Sequence, residues 1–253
     1  MKLRVLSYNI HKGFSMNRKF VLGKIREAIK SVNADIVFLQ EVQGEHTGHR
    51  EKFKDQWPVT TQLEYLADTI WTHHAYGKNA VYSEGHHGNA ILSMFPFSFF
   101  ENVDISTNRF ERRGLLHGIL DIPGIEPAVH LICIHLNLFE KSRIQQIEQL
   151  TKRIEEVVPH NSPLIIAGDF NDWRQNISPI LERELEVYEA FKQFSGAHAR
   201  SFPSWMPMLP LDRIYIRGLE VENAICLEGN PWHELSDHNA LYSELQILEY
   251  SKR

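Results

Sequence analysis

The sequence predicts a single α/β domain, residues 1–253, with mixed β-sheets packed face to face and helices on the outside. Strand-like and helix-like segments alternate early in the chain, and the middle and end carry hairpin-like strands. No repeat, low-complexity tract or linker-like change of composition divides the 253 residues.

Residues 3–10 read as an opening strand that runs into the polar turn His11-Lys12-Gly13. Between 18 and 32, Phe20, Val21, Ile25, Ala28, Ile29 and Val32 recur at helical spacing. Residues 35–42 are a continuous apolar run closing on the carboxylate of Glu41, the pattern of a buried strand. Residues 44–57 are polar and read as a loop, and 62–70 as a short helix with Leu63, Leu66, Ala67 and Ile70 on one face. Segments 80–82, 89–93 and 114–120 read as strands between Gly, Pro and charged turns. His86-His87, flanked by glycines, reads as a flexible loop, because neighbouring side chains on a strand would point apart. A strand at 129–136 precedes a helix at 142–158 with Ile144, Ile147, Leu150, Ile154 and Val158 as its buried stripe. A buried strand at 164–171, a helix at 178–194, a hairpin of 212–216 with 221–227 across Arg217-Gly218, and a last strand at 239–248 complete the chain.

Hydrophobic residues make up 43 % and charged residues 23 %, the profile of an ordinary globule able to bury a core without disulfides. Cys133 and Cys226 lie in apolar runs and read as small buried hydrophobes in a reducing compartment. No cysteine pair has metal-ligand spacing, which excludes a zinc ribbon. The start lacks a signal-peptide stretch and no apolar run is long enough to span a bilayer, so a cytoplasmic monomer is expected. The formal charge is −5, which disfavours a nucleic-acid binder built on a broad basic face.

Four apolar strands end in groups that can do chemistry: Asn9, Glu41, His135, and Asp169 with Asn171. A strand buried along its length and polar at its tip delivers that last side chain to the rim of a sheet, where α/β folds bind ligands. Taken singly, Asn9 is most simply a turn former, Glu41 a solvated strand end and His135 a core histidine. Gly168-Asp169-Phe170-Asn171 is more specific, since its two oxygen-bearing side chains would share one side of an extended strand. Ser236-Asp237-His238 and Leu211-Asp212-Arg213 add two carboxylates and an imidazole. Phosphate-ester hydrolysis needs a cation for the phosphoryl oxygens, a base for the water and a donor for developing charge. Hard oxygen donors such as Asn9, Glu41, Asp169 and Asp237 suit Mg2+ or Mn2+.

Ser7-Tyr8-Asn9, Leu39-Gln40-Glu41, His135-Leu136, Gly168-Asp169-Phe170-Asn171, Leu211-Asp212-Arg213-Ile214 and Ser236-Asp237-His238 together resemble the endonuclease/exonuclease/phosphatase superfamily. That group includes pancreatic-type deoxyribonuclease, abasic-site endonucleases, sphingomyelinases and inositol-polyphosphate phosphatases. The resemblance implies a four-layer α/β sandwich with the site at one edge of two packed sheets. It implies Glu41 as the principal metal ligand, helped by Asn9 and Asp237, and Asp169 as the group that orients or deprotonates water, with Asn171 beside it. His238 would meet the phosphate, oriented by Asp212, with His135 near the scissile bond. His135 leans away from the abasic-site branch, which carries tyrosine there. Asn89 and Arg113 fall where the family often faces phosphate.

The leading expectation is therefore a Mg2+- or Mn2+-dependent phosphodiesterase or phosphatase acting on a small-molecule or lipid-type phosphate ester. A nuclease gripping its substrate through Arg109, Arg112, Arg113, Lys141 and Arg143 is the second reading, and an inactive binding module on the same fold the third. Unmetallated, a carboxylate cluster would repel itself, so removing Glu41 is expected to relieve the metal-free protein.

Overall fold

The computed structural model describes residues 1–248. In chain order its strands are β1 (Lys2–Asn9), β2 (Ile36–His46), β3 (His73–Tyr82), β4 (Gly85–Ser93), β5 (Phe97–Asp104), β6 (Gly114–Leu120), β7 (Val129–His135), β8 (Leu164–Asp169), β9 (Tyr188–Glu189), β10 (Asp212–Arg217), β11 (Leu219–Leu227) and β12 (Ala240–Ile247). Its α-helices are α1 (Leu22–Ser31), α2 (Thr47–Lys52), α3 (Gln62–Ala67), α4 (Glu140–Val157), α5 (Ser178–Leu185) and α6 (Ala190–Ser195).

The strands form two mixed six-stranded sheets, one ordered β11-β12-β1-β2-β4-β3 and the other β5-β6-β7-β8-β10-β9. Each holds one parallel pair, β1 with β2 and β7 with β8, and each pair is joined by a crossover containing a helix, α1 or α4.

Strand alternation builds the layers. In β1, Leu3 and Val5 face the other sheet while Leu6 and Tyr8 face the helices; in β8, Ile165 and Ala167 face inward while Leu164 and Ile166 face outward. The central core is the interleaving of these inner faces, Leu3, Val5, Phe38 and Ile91 against Leu131, Cys133, Ile165 and Ile214. One outer face packs Val37 and Leu39 against Ile25, Leu63 and Trp71, and the other packs Ile132 and Ile134 against Ile147, Leu150 and Leu181. The result is the expected four-layer sandwich.

Local departures from the sequence reading have local causes. The loop expected at 44–57 begins as the end of β2 and continues into α2, which buries none of its residues and so carries no apolar stripe to reveal it. Strand β5 escaped notice because it is a half-exposed edge pairing only with β6. The helix expected over 178–194 is broken at Glu186, whose φ of 54° ends α5, and restarts as α6 under a cap from the Glu189 carboxylate to Phe191 and Lys192 N–H. The 212–216/221–227 hairpin is instead a corner between layers: Gly218, at φ 71°, turns the chain out of one sheet, and β11 pairs with β12 in the other. His86-His87 is ordered strand in β4. Cys133 is buried as expected, whereas Cys226 is only half-buried.

A buried imidazole pair marks the outer face of the second sheet. His117 and His130 sit on adjacent strands with Nε2 and Nδ1 3.0 Å apart. Burial, with His130 facing His117 and Arg217 facing His130, takes both down from 6.5 to about 4. The unfolded chain therefore binds protons that the folded chain refuses. Stability is present in full above pH 6.5 and falls as pH drops toward 4, by up to about 1.4 kcal/mol per pH unit for each site. Urea unfolding at about pH 7.5 and about pH 5 checks this: wild type should lose stability across the interval and His117→Gln should lose less. Equal losses would show that the pair does not carry the effect.

Candidate active site

The same alternation that builds the core assembles the site. Extending the inward faces of β1, β7, β8 and β10 to their ends places Asn9, His135, Asp169 and Asp212 toward the seam between the sheets. His135 pairs with Asp169 across β7–β8, and Asp212 with Asp169 across β8–β10, so the three ride on adjacent strand ends.

Asp169 is the centre. It is 2 % exposed and accepts from Asn9 Nδ2 at 3.1 Å and from the Asn171 backbone N–H at 2.9 Å. His135 Nε2 lies 3.4 Å and His238 Nε2 3.8 Å from its Oδ2. On the far side of the His238 ring, Nδ1–H donates to Asp212 Oδ2 at 2.8 Å, and that same oxygen accepts from Ser201 Oγ. The Phe202 ring, 5.0 Å from that of His238, closes another side.

Burial pushes Asp169 up to about 7; Asp212 adds to the rise, and His238 and the hydrogen bonds only partly offset it. Burial opposes charge on His238, but Asp212, Asp169 and Asp237 outweigh it and raise the imidazole to about 10. His135 goes the other way, held neutral by burial and by Arg113. The arrangement is thus one cationic and one neutral imidazole on either side of a carboxylate able to exchange a proton near neutrality.

Glu41 reaches the seam by a different route. By strict alternation it would follow Leu39 toward the helices. The β2–β4 register slips between Leu39 and Val42, and Glu41 adopts φ 58°, a left-handed conformation that re-aims its side chain. Its neighbours are basic side chains, contrary to the acidic crowding expected from sequence. Burial alone would raise it, but His135, Lys12, His11 and His87 bring it down to about 2, with Lys12 Nζ 3.5 Å away. That contact is to Oε2, which is buried and makes no hydrogen bond. A buried carboxylate oxygen whose only ion pair among the described residues is with a partly exposed lysine suits a divalent cation, and hard oxygen donors are the right chemistry for Mg2+ or Mn2+. Asp237 is tied to His11 Nδ1 at 3.6 Å and to Ser236 Oγ at 3.3 Å, while Ser236 Oγ also reaches Asn9 O at 2.7 Å, so Asp237 and Asn9 are held together.

Asp169, Asp212 and His238 also offer ligand atoms within 4.8 Å of one another. A protonated imidazole already bonded to Asp212 is a poor neighbour for a cation, so this trio is better suited to moving protons than to holding metal.

The structure relocates three expected residues. Asn171 does not extend the strand: at φ 51° it turns, caps Asp169 with its backbone N–H and donates Nδ2 to Leu136 O at 2.9 Å. Asn89 donates Nδ2 to Gly114 O at 3.1 Å and Cys133 O at 3.3 Å, a tie between the sheets just below the site. Arg113 donates to Leu136 O and Glu111 while its charge bears on His135 and His87. Four residues were missed: Lys12, His11, His87 and Ser201. Period-two parity reveals His87, which stands two positions before inward-facing Asn89 on β4, where the flanking glycines suggest a loop.

The chain belongs to the Endonuclease/Exonuclease/phosphatase family, whose model matches residues 6–238. Membership implies metal-dependent phosphodiester hydrolysis. The chain is 43 % identical over 245 residues to YbhP of Escherichia coli K12, described as uncharacterized, covering 96 % of each. A UPF0294 protein of Vibrio cholerae is 29 % identical over 119 residues, 47 % of this chain and 40 % of that one. Among solved structures, an endonuclease/exonuclease/phosphatase from Bacteroides vulgatus superposes with TM-score 0.75 at 17 % identity, covering 98 % of this chain and 99 % of that one. D. rerio TDP2 complexed with single-strand DNA product superposes with TM-score 0.67 at 17 % identity, covering 97 % and 99 %. No helix among the described residues is long and apolar enough to cross a membrane.

Gly168 positions Asp169. It sits at φ 149°, and a Cβ there would collide with the Ile134 carbonyl oxygen. Gly168→Ala should therefore cost about 2–5 kcal/mol of stability through strain and displaced strand pairing. Urea midpoints measure it, and wild-type stability in the variant would mean that the close approach of β7 and β8 is dispensable.

Proposed function

We propose that this chain is a Mg2+- or Mn2+-dependent hydrolase of a small-molecule or lipid-type phosphate ester, a diester in preference to a monoester. The observation that carries the reading is Asp169 itself: a buried carboxylate, raised to about 7, flanked by a cationic and a neutral imidazole and fed by an amide from the other sheet. A base works best when its pKa lies near the working pH.

Glu41, Asn9 and Asp237 would hold the cation, which when bound neutralises phosphoryl oxygens. Asp169 orients a water and takes its proton, kept in place by Asn9 and the Asn171 N–H. His238, oriented through Nδ1 by Asp212, presents Nε2 as a charged donor to the phosphoryl oxygens. His135, neutral, lies beside Asp169 where a leaving oxygen would depart. Arg113 adds positive potential at that side. In this reading Asn89 supports the site by tying the sheets together.

Chelator-treated protein should lose hydrolysis of bis(p-nitrophenyl) phosphate and regain it with Mg2+ or Mn2+, and should act less on the p-nitrophenyl monoester. Glu41→Gln should weaken Mn2+ binding in calorimetric titration at least about tenfold while the melting temperature moves by only a few degrees, since its partner Lys12 is partly exposed. Full turnover without metal, or unchanged Mn2+ affinity in Glu41→Gln, would overturn the reading.

A further inference from the structure

The loops that leave the second sheet at its active end carry a rim of exposed apolar side chains. These are residues 105–113 after β5, 136–139 after β7, 170–177 after β8 and 196–211 before β10. They present Phe110, Leu138, Phe139, Trp173, Trp205 and Met208, with Phe110 85 % and Phe139 74 % exposed. Isolated exposed apolar residues are ordinary, but six around one site are not.

Charge is concentrated on the same rim. With the first turn of α4 included and the buried Arg143 and Asp172 left out, these segments hold six Lys or Arg against two Asp or Glu, in a chain whose formal charge is −5. Arg112, Arg113 and Arg174 pair with Asp104, Glu111 and Glu140, but Arg109, Lys141 and Arg200 have no carboxylate partner among the described residues. Arg109 lies over the ring of the exposed tip Phe110, and Lys141 follows the other, Phe139, by two positions.

We propose that this rim docks the protein onto an anionic phospholipid surface, the apolar tips entering the headgroup boundary and the unpaired cations meeting lipid phosphates. The mixture of protruding apolar groups and flanking cations is that of proteins that lie on a bilayer without spanning it. A single-stranded nucleic acid would favour aromatic platforms along a basic groove, whereas Leu138 and Met208 cannot stack on bases and three rim arginines are engaged by carboxylates. The docking surface presupposes the phosphoric-ester site that it borders, and it assigns to that site a substrate presented in a lipid layer.

Binding can be read apart from chemistry. The full chain, with chelator present, is sedimented with vesicles of phosphatidylcholine alone or of an equal mixture with phosphatidylglycerol. It should partition onto the mixed vesicles, less onto the neutral ones, and less at high salt. Phe110→Ser with Phe139→Ser should weaken partition at least about tenfold, with unchanged melting temperature and unchanged hydrolysis of soluble bis(p-nitrophenyl) phosphate. Absence of partition, equal partition of the double variant, or tighter binding to a single-stranded oligonucleotide that depends on the same two phenylalanines would each overturn the docking surface. Failure of the soluble diester to be hydrolysed by wild type would instead strike the phosphoric-ester reading.

Discussion

A carboxylate taken out of water at the seam of two sheets is the constraint on which the rest of this structure depends. Burying Asp169 costs several kcal/mol unless its oxygens find donors. One donor is far away in the chain, Asn9 being 160 positions earlier, and the other is the N–H two residues on. The Asn171 turn, the His135 and His238 rings, and Asp212 behind His238 must all arrive together. A one-residue slip in β1, β7, β8 or β10 would turn its contribution toward the helices. The apolar core between the sheets therefore holds the site as well as the fold, because the residues that pack it specify which way the strand tips face.

This dependence explains where the local backbone departs from ordinary geometry. Glu41, Gly168 and Asn171 all have positive φ and all border the site. Regular strands would have carried Glu41 toward the helices and Asn171 onto an extended continuation of β8. Left-handed conformations at these points bring a ligand-type carboxylate and a capping N–H to the seam instead. Such strain persists only when the surroundings over-determine it: Glu41 and Gly168 lie within strands, and Asn171 is fixed by its bonds to Asp169 and Leu136.

Much of the architecture was legible in the sequence, since long apolar runs with period-two or helical spacing mark β1, β2, β7, β8, α1 and α4 directly. The tips Asn9, His135 and Asp169 were legible because a buried apolar run that ends in a polar group delivers it to a sheet rim, and Asp212, at the start of β10, through the family resemblance. What was not legible depends on partners distant in sequence. Gly218 looks like a hairpin turn until β11 is seen to pair with β12, and Asn89 looks like a turn amide until Gly114 and Cys133 carbonyls are placed beside it. Lys12 and His11 sit in a three-residue turn whose composition says nothing of Glu41 and Asp237. Edge strand β5 and helix α2 bury too little to leave a pattern.

The proximity of Asp169, Asp212 and His238 leaves two chemical identities for Asp169, a proton acceptor or a metal ligand, and one substitution separates them. Asp169→Asn keeps the shape and can still accept from Asn171 N–H, but it cannot take a proton from water. Single-turnover hydrolysis of bis(p-nitrophenyl) phosphate, with Mn2+ affinity measured by calorimetry on the same sample, reads both roles. Turnover should fall by about 10²–10⁴ with Mn2+ affinity close to wild type. Retained turnover, or loss of Mn2+ binding equal to that of Glu41→Gln, would contradict it.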